Sequence, residues 1–135
     1  MAFFEWRKEY ETGISEIDAQ HKVLVKLMNT LAAASATKTQ DEIAVLNRAL
    51  LELSDYIRVH FDAEEKLLAL HRYPGIDGHI QAHRNFERLF NNLLQEALNG
   101  QLLAVDPLLV FLRPWLSQHI MKADHLYIPY VKKGP

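Results

Sequence analysis

Residues 43–71 read IAVLNRALLELSDYIRVHFDAEEKLLALH. Ile43, Leu46, Leu50, Leu53, Ile57, His60, Glu64, Leu67 and His71 recur at alternating steps of three and four. That period puts all of them on one face of a helix and matches the seam of a helix bundle. Thr39 and Glu42 have the spacing of a capping box and open the helix. Tyr73-Pro74-Gly75 closes it. The stretch therefore predicts a helix over about 40–72. Two polar groups, His60 and Glu64, sit on a face that is otherwise made for burial.

Working outward, the same period recurs on either side. Upstream, Ile17, Leu24, Val25, Met28, Leu31 and Ala32 form a stripe over about 18–36, with Asp18 as the expected N-cap. Residues 1–17, with Trp6, Tyr10 and Gly13, are left as an N-terminal arm. Downstream, His79, His83, Phe86, Phe90, Leu93 and Ala97 mark a helix over about 77–98, stopped at Asn99-Gly100. Asp106 and Pro107 suit the first positions of a fourth helix, about 107–127. It carries Leu108, Leu112, Trp115, Leu116, His119, Ile120 and Tyr127, with Pro129 as its stop and a short C-terminal tail beyond. Pro114 lies inside it and predicts a kink. No segment alternates as a strand does. The expectation is an all-α, up-down-up-down four-helix bundle forming a single domain over 1–135.

Composition narrows the chemistry. The chain has no cysteine, so disulfides, iron–sulfur clusters, thiolate zinc sites and thiol nucleophiles are excluded. A formal net charge of -2 leaves no footprint for nucleic acid. No apolar run is long enough for membrane insertion, and the first residues lack a basic region followed by an apolar stretch. A cytoplasmic protein is expected.

The histidines decide the rest. His21 lies near the start of the first helix, His60 and Glu64 near the end of the second, His79 and His83 at the start of the third, and His119 and Asp124 at the end of the fourth. In an antiparallel bundle these four places share one end. His60/Glu64 and His79/His83 are i,i+4 pairs and face one way. His119 and Asp124, five apart, fall about 140° apart on an ideal helix, so the helix must loosen there or Asp124 must reach sideways. Each residue alone reads as well as an ordinary core or boundary group. Together, five imidazoles and two carboxylates buried at one level without a metal would be costly. His71 and His125 fall outside the set and read as ordinary polar residues.

The set exceeds one coordination sphere. With both carboxylates bridging, plus a bridging oxo or hydroxo group, one of about twelve octahedral positions on two ions stays open. Nitrogen-rich octahedral ligation suits iron better than closed tetrahedral zinc or all-oxygen calcium sites.

These residues resemble the hemerythrin family in its single-domain bacterial form. The resemblance rests on Gly13-Ile14 with Ile17-Asp18-Ala19-Gln20-His21, and on His60-Phe61-Asp62-Ala63-Glu64-Glu65. It continues in Tyr73-Pro74 with His79-x3-His83, and in Trp115-Leu116-Ser117-Gln118-His119-Ile120 with Asp124. The resemblance implies two iron ions cycling between Fe2+ and Fe3+, one on His79, His83 and His119, the other on His21 and His60, with Glu64 and Asp124 bridging. It implies reversible dioxygen binding at the iron with two histidines, in a carrier, store or delivery protein and not an enzyme. Leu24, Phe61, Trp115, Leu116 and Ile120 would then line the dioxygen pocket, though each alone reads equally as core. An oxygen-consuming partner protein fits delivery. Sensing, or oxidase or peroxidase activity, is the competing reading. Against an oxidase, the chain contains no Glu-x-x-His.

Overall fold

The computed structural model describes residues 3–37, 43–99 and 105–132. Four long helices run Ser15–Thr37 (α1), Ile43–Leu70 (α2), Ile76–Leu98 (α3) and Val105–Gln118 (α4). A π turn, His119–Ala123, extends α4 into Asp124–Leu126 (α5), and Ile128–Lys132 (α6) follows. Among the described residues there is no strand. Each long helix packs on the one before it, and α4 closes back onto α1, so the four form a bundle. The capping pair Thr39 and Glu42 lies outside the described residues.

Several helix ends differ from the sequence expectation, each for a local reason. α1 starts at Ser15, upstream of Asp18. Asp18 does not cap the helix. Its carboxylate instead accepts hydrogen bonds from the Thr12 and Gly13 amides and the Thr12 hydroxyl, at 2.8, 3.0 and 2.8 Å. The arm is thereby tied to the first turn of α1. Asn29 holds it again further up, exchanging two hydrogen bonds with the Phe4 backbone. α2 ends at Leu70 because Arg72 takes a left-handed conformation, φ 53°. The Tyr73 amide then bonds Leu68 O and the Arg72 amide bonds Ala69 O, a Schellman arrangement with arginine where glycine is usual. Pro129 does not end helical structure. The chain breaks at Tyr127, then makes one more turn through α6 where a tail was expected.

The buried seam follows 3.6 residues per turn, not a strict heptad. On α2 it passes Leu46, Leu50, Leu53, Ile57, His60 and Glu64, then reaches Leu68, leaving Leu67 and His71 half-buried. On α3 it ends at Leu94 and Ala97, with Leu93 half-buried. Half of the bundle's length is mainly apolar, filled by residues such as Leu31, Leu50, Leu94 and Leu108, with the buried Ser35 bonded to Asp106. The other half carries the buried histidines, Glu64 and Asp124. Pro114 lies within α4 without ending it. The carbonyl that loses its partner there belongs to Val110, a residue 70% exposed, where water can satisfy it.

Candidate metal centre

His21, on α1, has both ring nitrogens in the core. His60 and Glu64 project from α2 one turn apart, and His79 and His83 do the same from α3. His119 and Asp124 bracket the π turn, whose closing bond runs from the Asp124 amide to His119 O. That i→i+5 closure absorbs the extra residue. It brings onto one side two groups that an α-helix would set about 140° apart. All seven side chains are buried, none more than 8% exposed.

Their ligating atoms fall into two groups that share a carboxylate. One is Glu64, His79, His83 and His119; the other is His21, His60, Glu64 and Asp124. Each carboxylate divides its oxygens between them. Glu64 Oε1 lies 2.6 Å from His79 Nε2 and 3.0 Å from His83 Nε2, while Oε2 lies 3.6 Å from His60 Nε2 and 3.9 Å from His21 Nε2. Asp124 Oδ2 lies 3.0 Å from His21 Nε2, while Oδ1 lies 3.1 Å from His119 and 3.2 Å from His79.

Some of these approaches are hydrogen bonds, His79 Nε2 with Glu64 Oε1 and, at 3.2 Å, His83 Nε2 with His119 Nε2; others are not. Neither oxygen of Asp124 and neither nitrogen of His21 makes a hydrogen bond, although all four atoms are buried. An orphaned buried polar group costs about 1–3 kcal/mol. The ligating atoms of each group crowd one small space, which is the arrangement a shared cation needs. Nitrogen and carboxylate donors in this ratio fit an iron-type ion, and two groups fit two ions.

Without a cation, protons take over part of its role. Burial opposes charge on His79 and His119, but the neighbouring Asp124 and Glu64 outweigh it and push them up to about 9 and about 10. Burial pushes His60 down to about 4, against the pull of Glu64. For Glu64 and Asp124, burial works upward, yet the imidazoles around them hold both well below the usual carboxylate range.

A surrounding layer, not read from the sequence, fixes the imidazoles. Gln20 Oε1 sits 2.6 Å from His60 Nδ1, and Glu65 Oε2 sits 2.7 Å from His83 Nδ1. Arg84 holds Glu65 in turn and also reaches Glu87. These partners set ring orientation and donor strength. Gln20 and Glu65 each adjoin a site residue in the chain, but that alone does not mark them. Tyr127 donates to Glu64 Oε2 at 3.0 Å. Burial and the nearby carboxylates push its phenol far up, so it remains a donor.

Aromatic faces close the site on the core side. Phe61 stacks on His83 with ring centres 3.7 Å apart, and Trp115 stacks on His119 at 4.5 Å. Leu24, Phe61, Trp115 and Leu116 line a small apolar pocket together with Met28 and Phe86. Ile120 is fully buried but does not line it.

The sequence profile of the Hemerythrin HHE cation binding domain matches residues 12–131. The chain belongs to the hemerythrin family. Bacteriohemerythrin of Methylococcus capsulatus is 30% identical over 130 residues, covering 96% of this chain and 97% of the relative. A hemerythrin-like protein of Naegleria gruberi is 32% identical over 124 residues, covering 92% and 90%. Among solved structures, wild-type hemerythrin superposes with a TM-score of 0.84 at 27% identity, covering 96% of this chain and 98% of the other. The hemerythrin bundle is thus retained at low identity.

Proposed function

We propose that this hemerythrin-family chain binds dioxygen reversibly at a non-haem pair of iron ions and serves to carry, store or deliver it. The observation that carries the reading is the division of Glu64 and Asp124, each offering one oxygen to each group of histidines. His79, His83 and His119 would hold one ion, and His21 and His60 the other. When bound, the iron pair supplies electrons that can be lent to dioxygen and recovered.

The side chains contribute the rest. Three imidazoles against two leaves the second ion with the freer position. The stacked rings of Phe61 and Trp115 and the apolar pocket beside them exclude water, which would otherwise deliver protons to the bound ligand. Tyr127 holds one oxygen of Glu64 and restrains its rotation. The histidine-rich, carboxylate-poor donor set supports binding over oxidation of a substrate, as does the lack of Glu-x-x-His in the sequence.

The test is the visible spectrum of ferrous-loaded protein without oxygen, then in air, then flushed with argon. A band that appears and disappears without added reductant supports the reading. A ferric spectrum that persists under argon overturns it in favour of a sensor or oxidase.

A further inference from the structure

Three of the chain's five tyrosines lie at the metal end of the bundle. Tyr127 is fully buried and donates to Glu64 Oε2 at 3.0 Å. Its ring centre lies 6.1 Å from that of Tyr73, at 74° between planes. Tyr73 in turn lies 5.2 Å from Tyr130, which is 42% exposed. The three rings thus run in unbroken edge contact from a bridging carboxylate to solvent.

The middle ring is held by the backbone around it. Arg72 takes its left-handed turn immediately before Tyr73. Gly75 leaves room for the phenol. A Cβ there would come within 2.7 Å of Tyr73 Cζ and Oη. The remaining tyrosines stand apart. Tyr10 hydrogen-bonds Ser117 beside the arm, and Tyr56 is half-buried on α2.

We propose that Tyr127, Tyr73 and Tyr130 form a relay that carries oxidising equivalents from the metal pair to the surface, where a small one-electron reductant of the thiol or ascorbate class can quench them. The relay rests on the di-iron reading above. Its oxidant is a hydroperoxide reaching the metal pair in its ferric state, because a ferrous pair would supply both electrons itself. In the first step Tyr127 gives an electron to the metal pair and its phenolic proton to Glu64. Tyr73 then returns an electron to Tyr127, which recovers its proton from Glu64, while the proton of Tyr73 passes to water. Tyr130 repeats this at the surface. One hydrogen peroxide takes two electrons and two protons to become two waters. Both electrons leave through the one relay in sequence: the first leaves a phenoxyl radical on Tyr130, and the second reaches the surface only after Tyr130 has been reduced again. Without reductant, radicals on two chains couple through their ring carbons to dityrosine. With reductant, each is returned to tyrosine, and the ligand histidines are spared.

The test uses iron-loaded protein oxidised to the ferric state, its iron content measured first, treated with equimolar hydrogen peroxide in the absence of reductant. Dityrosine fluorescence, a covalent dimer on a denaturing gel and the cross-linked peptide are read together. The expected product is a dimer joined through Tyr130. It should be lost in Tyr130→Phe and in Tyr73→Phe, retained in Tyr56→Phe, and suppressed by ascorbate. Tyr73→Phe matters most, because it leaves the surface phenol in place and breaks only the path. Iron content and the iron absorption band of both variants should match the parent. Cross-linking that survives Tyr73→Phe, that forms equally without iron, or that appears instead as oxidation of Trp115 overturns the relay. A chain that holds no iron pair overturns the function proposed above and the relay with it; an intact iron pair without radical transfer overturns the relay alone.

Discussion

The π turn between His119 and Asp124 makes a prediction that can be worked in degrees. At 100° per residue, residues five apart in an α-helix face about 140° away from each other, whereas residues four apart differ by about 40°. Deleting Lys122, an exposed residue within the turn, leaves four. The turn should then close as ordinary α-helix with both side chains still aimed at His21 and His79. The regained i→i−4 hydrogen bond is worth about 1 kcal/mol, and in a domain of this size that raises the Tm of the metal-free protein by about 4 °C. Inserting an alanine after Met121 is the contrasting change. It sets the two residues six apart, and Asp124 swings about 120° the other way in α-helical geometry. Metal content per chain by elemental analysis and melting of the metal-free form by circular dichroism are the assays. The deletion should keep full metal content. The insertion should lose the ion assigned to His21, His60 and Asp124. A deletion variant that loses metal, or melts lower than the parent, refutes the argument. The widened turn would then be needed for itself, not simply for the angle it restores.

Three further outcomes are expected. Metal-free protein should be most stable near pH 6.5. Above that, the unfolded chain sheds imidazole protons that folded His79 and His119 keep to about 9 and about 10, so stability falls as pH rises through those values. Below it, His60, held down to about 4, lags the unfolded chain in taking a proton, and stability falls again; the depressed Glu64 and Asp124 deepen the loss under acid. Denaturant melts across that range check this, and loading at pH 7 should release protons to a weakly buffered indicator. Glu65→Ala should weaken metal binding about 10- to 100-fold by freeing the His83 ring, as read by chelator competition. Arg72→Gly should stabilise the chain by up to about 1 kcal/mol in denaturant melts, because it removes a side chain from a left-handed position.

The clustering of the candidate ligands was legible in the sequence where regular helix geometry carries the information. His60/Glu64 and His79/His83 sit one turn apart, and antiparallel packing brings their helix ends together with His21. What escaped depends on departures from that geometry or on contacts between helices. The five-residue gap from His119 to Asp124 signalled that the helix must loosen. It could not show that a π turn would absorb the mismatch. Asp18 has the chemistry of an N-cap, yet it turns back to hold Thr12 and Gly13, because the arm beside it offers unpaired amides. The seam on α2 was read as a heptad to Leu67 and His71. An unstrained helix drifts past that register, and Leu68 is buried instead. Gln20 and Glu65 support imidazoles from positions with no periodic signature.

Of the four seams between neighbouring long helices, that between α1 and α4 is the thinnest. Just beyond the end of α4, His21 of α1 and Asp124 of α5 approach to 3.0 Å. A bound ion would therefore be a rivet between α1 and the far end of the fourth helix. An ion entering by a lifting of α4 would have to do so before loading. After loading, the same motion has to break coordination. Amide hydrogen exchange along α4 should accordingly slow from a local rate to that of whole-molecule opening.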